Sequence, residues 1–138
     1  MEDRNAAAIG TTPEAADESL EAGLQNRELL ALVLTVLDRH KAEDIVEINL
    51  HGKSEIADFM VVASGRSRRQ VLTLCDKLLE ALKGSSVCGQ VQVEGRRQGD
   101  WVLVDAGDVI VHIFRPEVRD FYQIEKMWLQ SANVRNAG

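Results

Sequence analysis

Asp105 and Asp108 have the most suggestive setting of any acidic residues in this sequence, because they bracket a short turn between two runs rich in β-branched residues. The runs are Trp101–Val104 and Val109–Phe114. Glycine at the turn supplies the positive φ that a two-residue hairpin needs, so we predict a β-hairpin with Ala106-Gly107 at its tip. In that hairpin the two aspartates face each other, with Cβ atoms roughly 4.5–5.5 Å apart. The pair then reflects the turn preference of aspartate, a bound metal or a basic partner surface.

The segment Ser64–Arg69 is a second candidate site, because it combines a glycine and three arginines at the start of a predicted helix. Free N–H groups at such a turn can hold a phosphate or carboxylate, and the candidate residues for this anion site are Ser64, Gly65, Ser67 and Arg69. The segment lacks the G-x-x-x-x-G-K-[ST] spacing of a nucleotide-binding P-loop. The alternative is a plain helix start, in which Ser67 and Gln70 form a capping box and the arginines are solvated.

His112 is the one polar residue in the otherwise apolar run VIVHIF. No H-x-x-x-H or C-x-x-C spacing recruits it to zinc, and no Ser–His–Asp arrangement supports nucleophilic catalysis. We therefore predict an interior histidine that is hydrogen-bonded to the Tyr122 hydroxyl or to the backbone of the last helix. From these patterns we predict no catalytic residue, no metal ligand and no cofactor.

Hydrophobic periodicity places these residues on alternating helices and strands. The run VIVHIF is apolar on both alternating sets of positions, so its strand needs cover on both faces. We predict an α/β (α+β) fold: a mixed β-sheet of about five strands flanked by helices, in a two-layer domain. The predicted helices cover Asn26–His40, Ser67 to about Lys83, and Pro116–Gln130 with a break near Phe121, and the predicted strands cover Asp44–Leu50, Ala57–Ala63, Val87–Glu94 and the two hairpin arms.

The length of 138 residues suits one domain with tails. Residues 1–18 show no periodicity and predict a disordered acidic N-terminal tail, residues 19–132 a single domain, and residues 133–138 a flexible C-terminal tail. The first 25 residues hold six acidic side chains and one arginine, so −5 of the net charge of −6 lies there and −1 is left for the rest.

Composition excludes several classes of function. A nearly neutral domain is poorly suited to binding nucleic acid through its phosphates, so we expect no direct sequence-specific nucleic-acid binding. No apolar run approaches the roughly 18 residues of a membrane span, and no secretory signal opens the chain. Two cysteines, Cys75 and Cys88, indicate no disulfide framework. We therefore expect a cytoplasmic protein without a membrane partner.

Several motifs together resemble the ribosomal silencing factor family (RsfS, or Iojap-like). They are AEDI, the strand start IAD, SGRSRRQV, VEG followed by WVLVDAGDVIVH, and the closing FYQIEKMW, which together span about Leu29–Trp128. The resemblance implies a nucleotidyltransferase-like fold. It also implies binding to a conserved protein, number fourteen, of the large ribosomal subunit. Members thereby stop the small subunit from joining and repress translation.

The alternative that this fold suggests is a small magnesium-dependent nucleotidyltransferase that uses Asp105, Asp108 and the Ser64 turn. Such enzymes need a G-S turn and a D-x-D carboxylate pair to hold Mg²⁺. Here Ser64-Gly65 stands in reversed order and no D-x-D occurs. We therefore predict a protein that is not an enzyme.

For the ribosomal protein we expect a binding surface in the hairpin region. Trp101 would be its apolar anchor, because tryptophan is enriched among the residues that dominate binding energy, and the alternative is that Trp101 belongs to the core. The acidic contacts to a basic partner would be Glu94, Asp100, Asp105 and Asp108. Self-association into a homodimer is left open.

Overall fold

A five-stranded mixed sheet, with helices on both of its faces, forms the fold in the computed structural model, which describes residues 13–131 and the side-chain surroundings of residues 20–128. Strand order is β1-β2-β5-β4-β3; β2 and β5 are parallel and the other neighbours are antiparallel. This confirms the predicted mixed sheet. The elements are α1 (Pro13–Arg39), β1 (Glu43–Asn49), β2 (Phe59–Ser64), α2 (Arg68–Lys83), β3 (Gln92–Glu94), β4 (Trp101–Asp105), β5 (Val109–Phe114), α3 (Pro116–Tyr122) and α4 (Ile124–Ser131).

Alternate residues of β5 are buried in two separate hydrophobic clusters, one on each face of the sheet. Val109, Val111 and Ile113 lie in the larger cluster with the buried stripes of α1 and α2. Phe114 lies in the smaller cluster on the opposite face, where α3 and α4 add partly buried residues. The prediction that VIVHIF needs cover on both faces is therefore confirmed. We call the face that α1 and α2 cover the helix-covered face, and the opposite face, which carries Phe114, the second face.

The start of α2 shows why the chain turns into a helix at that point. Ser67 has extended backbone angles, and its Oγ accepts a hydrogen bond of 3.1 Å from the amide of Gln70. The Gln70 side chain does not return to Ser67, as a full capping box requires, but donates to the His40 carbonyl at 2.8 Å. The predicted cap is thus confirmed for Ser67 and wrong for Gln70, which instead ties the end of α1 to α2.

The first helix begins at Pro13, well before the predicted start at Asn26. Proline suits a first helical position, and the alanines, glutamates and leucines that follow are good helix formers, so propensity extends the helix where no apolar stripe needs burial. Asn26 lies inside α1, and its Nδ2 donates to Asp58 Oδ2 at 2.8 Å. Residues 13–18 of the predicted disordered tail are therefore helical, whereas residues 1–12 and 132–138 lie outside the described part of the chain.

The hairpin between β4 and β5 differs from the prediction by its register. Trp101 pairs with Phe114 and Asp105 with Ile110, and the Ala106 amide donates to the Val109 carbonyl at 3.0 Å. The two loop residues are therefore Gly107-Asp108, and the aspartates do not face each other. The predicted and the observed register both keep the valines on one face, so the chemistry of the turn decides between the two registers. Gly107 has a φ of 92°, which a type II′ turn requires at its first loop residue, and its amide donates to Asp105 Oδ1 at 2.9 Å.

Because Asp108 sits in the loop, Asp108→Asn should change the free energy of unfolding by less than about 0.5 kcal/mol, as expected for an exposed substitution. Asp105→Ala is the informative comparison, since it removes the acceptor of the Gly107 amide and should cost about 1 kcal/mol. Urea unfolding of both variants measures the difference. A clear stabilisation by Asp108→Asn would mean that the two carboxylates repel each other after all.

Candidate functional site

Trp101 is half-buried at the start of β4, within a group of rings on the second face. Its ring centroid lies 4.8 Å from that of Phe114, 5.0 Å from Tyr122 and 5.9 Å from His112. Its Nε1 donates a hydrogen bond of 3.0 Å to His112 Nδ1. The tryptophan is therefore held in one orientation by a neighbouring strand and a helix.

His112 is a buried acceptor in this group. Its relative exposure is 4 %, and burial lowers the pKa of its imidazole to about 4. Because Nδ1 accepts from Trp101, the ring is neutral and carries its proton on Nε2. The prediction of a hydrogen-bonded interior histidine is confirmed. The predicted partners, the Tyr122 hydroxyl or the last helix, are wrong, because the register makes Trp101 the diagonal neighbour of His112.

The structure places three of the five predicted partner-binding residues on the second face. Trp101 and Asp105 share it by their alternation along β4, and Glu94 joins them because it pairs with Leu103 between them. The other two lie elsewhere. Asp100 precedes the strand, where its carboxylate accepts a hydrogen bond of 3.0 Å from Arg115 Nη1, and Asp108 is at the hairpin tip.

An exposed apolar area surrounds Trp101, and sequence reasoning did not assign it to binding. Leu103 and Ile110 are half-buried on the second face, whereas Phe121 and Tyr122 of α3 are 79 % and 55 % exposed. We call these four residues and Trp101 the aromatic face. A sequence signal existed only in the two adjacent aromatic residues near the predicted helix break, and the sequence alone does not say that both are exposed. An exposed apolar area with acidic residues at its border is typical of a protein-binding site.

A buried ion pair holds α3 and α4 behind the aromatic face. Arg119 is 8 % exposed, and its Nε and Nη2 donate to the two carboxylate oxygens of Glu125 at 2.8 and 2.7 Å. Its Nη1 donates to Ser64 Oγ at 2.8 Å, which connects both helices to the end of β2. Between the helices Gln123 adopts a left-handed conformation, with a φ of 49°. Sequence reasoning did not predict the pair, although it did predict the helix break near Phe121.

Comparison with known proteins agrees with this architecture. A family model described as "Ribosomal silencing factor during starvation" matches residues 24–137. The chain belongs to the RsfS family.

Relatives of this RsfS-family chain cover most of its length. The ribosomal silencing factor RsfS of Zymomonas mobilis is 54 % identical over 101 residues, which are 72 % of this chain and 74 % of the relative. The ribosomal silencing factor RsfS of Halalkalibacterium halodurans is 36 % identical over an alignment that covers 83 % of this chain and 97 % of that relative. A crystal structure of a Chromobacterium violaceum protein superposes with a TM-score of 0.72 at 36 % identity, covering 81 % of this chain and 89 % of the other.

A more distant relative is the mouse protein named "Mitochondrial assembly of ribosomal large subunit protein 1". It is 29 % identical over 99 residues, which are 70 % of this chain and 43 % of the mouse protein. The family and the names of its members support the predicted translation and ribosome setting.

The residues predicted as an anion site in this RsfS-family chain do not form one cluster. Ser64 is buried and accepts from Arg119, and the Gly65 amide donates to the Phe114 carbonyl at 2.8 Å. A Cβ on Gly65 would lie 2.9 Å from the Val71 nitrogen, so glycine is needed there for close packing. Ser67 caps α2 and Arg69 is exposed. Anion binding by this set stays a prediction.

The residues of the alternative enzyme site are separated. Ser64 pairs with Phe114 at one end of β5, and Asp108 precedes the other end, roughly 20 Å away along the strand. Asp105 accepts from the turn amide. Within the described residues no group of three or more His, Cys, Asp or Glu side chains could hold a metal ion. Among the described helices, none has the length and apolar character needed to span a membrane.

Proposed function

We propose that this chain represses translation by binding the large ribosomal subunit through its conserved protein number fourteen, which blocks joining of the small subunit. Membership of the RsfS family and the names of its relatives support a role at the ribosome. The observation that carries the proposal is the aromatic face, which exposes Phe121 and Tyr122 beside the half-buried Trp101. The protein would act in the cytoplasm, where bacterial ribosomes work.

The chemistry of the aromatic face suits a partner that combines an apolar area with basic side chains. Trp101 is already held by its hydrogen bond to His112, so little side-chain freedom is lost on binding. Glu94 and Asp105 lie on the same face and can meet lysine or arginine. Such charge complementarity mainly raises the association rate and fixes orientation, whereas a desolvated aromatic ring supplies most of the affinity.

Co-sedimentation with isolated ribosomal subunits tests the proposal. The protein should move with large subunits on a sucrose gradient and not with small subunits. Mixing both subunits at matched magnesium concentration should then yield fewer joined ribosomes when the protein is present. Binding to small subunits alone, no effect on joining, or magnesium-dependent nucleotide transfer by the purified protein would overturn it. Gradients of the protein alone would show whether it forms a homodimer.

Tyr122→Ala should weaken binding to large subunits at least about tenfold, because it removes an exposed ring that packs on the proposed anchor Trp101. Leu24→Ala is a matched control, since Leu24 is 58 % exposed on α1. Both variants should unfold near the wild-type temperature, and binding is measured by co-sedimentation over a range of protein concentrations. Equal affinity of the two variants would place the interface elsewhere.

A further inference from the structure

An open cleft of about 610 Å³ lies between the end of α1 and the start of α2. Both helices pack on the helix-covered face, so the cleft and the aromatic face belong to different surfaces. None of the described residues that line the cleft is acidic. They are Arg39, His40, Lys41, Arg66, Ser67, Gln70 and Thr73.

The positive charge of this cleft is largely uncompensated. Arg39 and Lys41 have no ion-pair partner among the described residues, and Arg66 is paired with Glu43, with 3.0 Å between Nε and a carboxylate oxygen. The two terminal nitrogens of that guanidinium carry four further N–H donors. Because the whole chain carries a net charge of −6, a basic overall composition does not account for this concentration of cations. Neighbouring like charges repel, and an anion between them relieves the repulsion.

Lys41 occupies a backbone position that normally belongs to glycine. After α1 the Lys41 amide donates to the Asp38 carbonyl at 3.1 Å and the Ala42 amide to the Leu37 carbonyl at 2.9 Å, which together form a Schellman motif. Lys41 occupies the left-handed position of this motif, with a φ of 68°. Glycine adopts this conformation without steric cost, whereas lysine does not. The conformational cost of this exposed lysine beside the cleft is compatible with a functional role for its side chain.

We propose that this cleft binds a phosphate group. Arginine and lysine are the side chains that best match phosphate oxygens, and the Ser67 hydroxyl, which accepts from the Gln70 amide, still has its O–H to donate. No phenylalanine, tyrosine or tryptophan is among the described lining residues, so the cleft lacks the large aromatic platforms on which single-stranded bases commonly stack. The cationic lining recognises the phosphate itself, which comes from a free phosphorylated molecule or from an RNA backbone.

Calorimetric titration of the full chain at low salt tests this proposal, with inorganic pyrophosphate in one arm and an oligouridylate of ten nucleotides in the other. Lys41→Gly is the decisive variant, because it should raise the melting temperature by a few degrees while weakening binding at least about tenfold. Arg66→Gln should weaken binding to a similar extent. Lys83→Gln is the matched control, since it removes one exposed positive charge at the far end of α2 and should leave affinity unchanged.

The two arms distinguish the source of the phosphate. Binding of pyrophosphate that the cleft variants weaken supports a free phosphorylated ligand, and variant-sensitive binding of the oligouridylate alone supports an RNA backbone. Absence of binding in both arms overturns the proposal. An equal loss of affinity in Lys83→Gln also overturns the proposal, because the weakening would then reflect the net charge of the protein and not the cleft. None of these measurements uses ribosomes, so failure here is distinguishable from failure of the proposed repression.

Discussion

Arg119→Met should lower the free energy of unfolding by about 3–5 kcal/mol, because it leaves the carboxylate of Glu125 buried without its partner. Glu125 is only 15 % exposed at its side chain, and both of its oxygens accept from Arg119. The same substitution removes the donor to the buried hydroxyl of Ser64. Urea unfolding measures the loss, and the slope of the transition reports whether α3 and α4 still fold with the rest of the domain.

A double variant separates the buried charge from the packing around it. Arg119→Met with Glu125→Leu replaces both charges by apolar groups and should recover much of the stability lost by the single variant. Arg115→Met is the control, since Arg115 pairs with Asp100 and Glu117 at a more exposed place. Its loss should lower the free energy of unfolding much less. If Arg119→Met costs no more than Arg115→Met, the pair does not hold the two helices in place.

The consequence for function follows from the position of α3. Tyr122 is three residues after Arg119 and contacts Trp101, so loosening of α3 displaces one ring of the aromatic face. We expect Arg119→Met to weaken large-subunit binding at temperatures where it is still folded. The double variant should restore binding together with stability.

The sheet could be predicted because apolar patterning determines it. VIVHIF is apolar on both alternating sets, and in the structure it is the central strand with a cluster on each face. The hairpin register could not be predicted in the same way, because shifting the pairing by two residues leaves the same side chains on the same face. It depends on Gly107 taking the first loop position and on Asp105 binding its amide.

The positions of the candidate-site residues could be predicted only in part, for a related reason. Trp101 and Asp105 share a face because they alternate along one strand, which is readable in the sequence, whereas Glu94 joins them only through the register of β3 against β4. The contacts of Arg119 are not readable, since its partners are 6 and 55 positions away along the chain. The early start of α1 was missed because propensity, not burial, extends it: Leu20 and Leu24 are exposed there.

Lowering the pH should destabilise the protein through His112. Its pKa is about 4 in the folded protein and near 6.5 when unfolded, because burial opposes the charged form. Between these values the unfolded chain binds more protons, so stability rises with pH. The contribution of His112 to the free energy of unfolding is fully present above pH 6.5 and is lost as the pH falls towards 4. It amounts to roughly 3 kcal/mol.

His112→Gln isolates this effect, because glutamine does not titrate and its side-chain oxygen can still accept from Trp101 Nε1. Urea unfolding of wild type and variant at several values between pH 4.5 and 7.5 should give curves that converge as the pH falls. Parallel curves would show that His112 is not the group responsible. Trp101→Phe is the complementary variant, since it keeps a ring beside Phe114 but removes the donor to His112, at a cost of about 1 kcal/mol.

Protonation of His112 turns Nδ1 from an acceptor into a donor, so it also breaks the hydrogen bond that orients Trp101. If Trp101 is the anchor for the ribosomal partner, affinity for large subunits should fall over the same pH range as stability does. His112→Gln should bind with a weaker pH dependence than wild type. A variant that is as stable as wild type at neutral pH yet no longer binds would show that His112 itself contacts the partner.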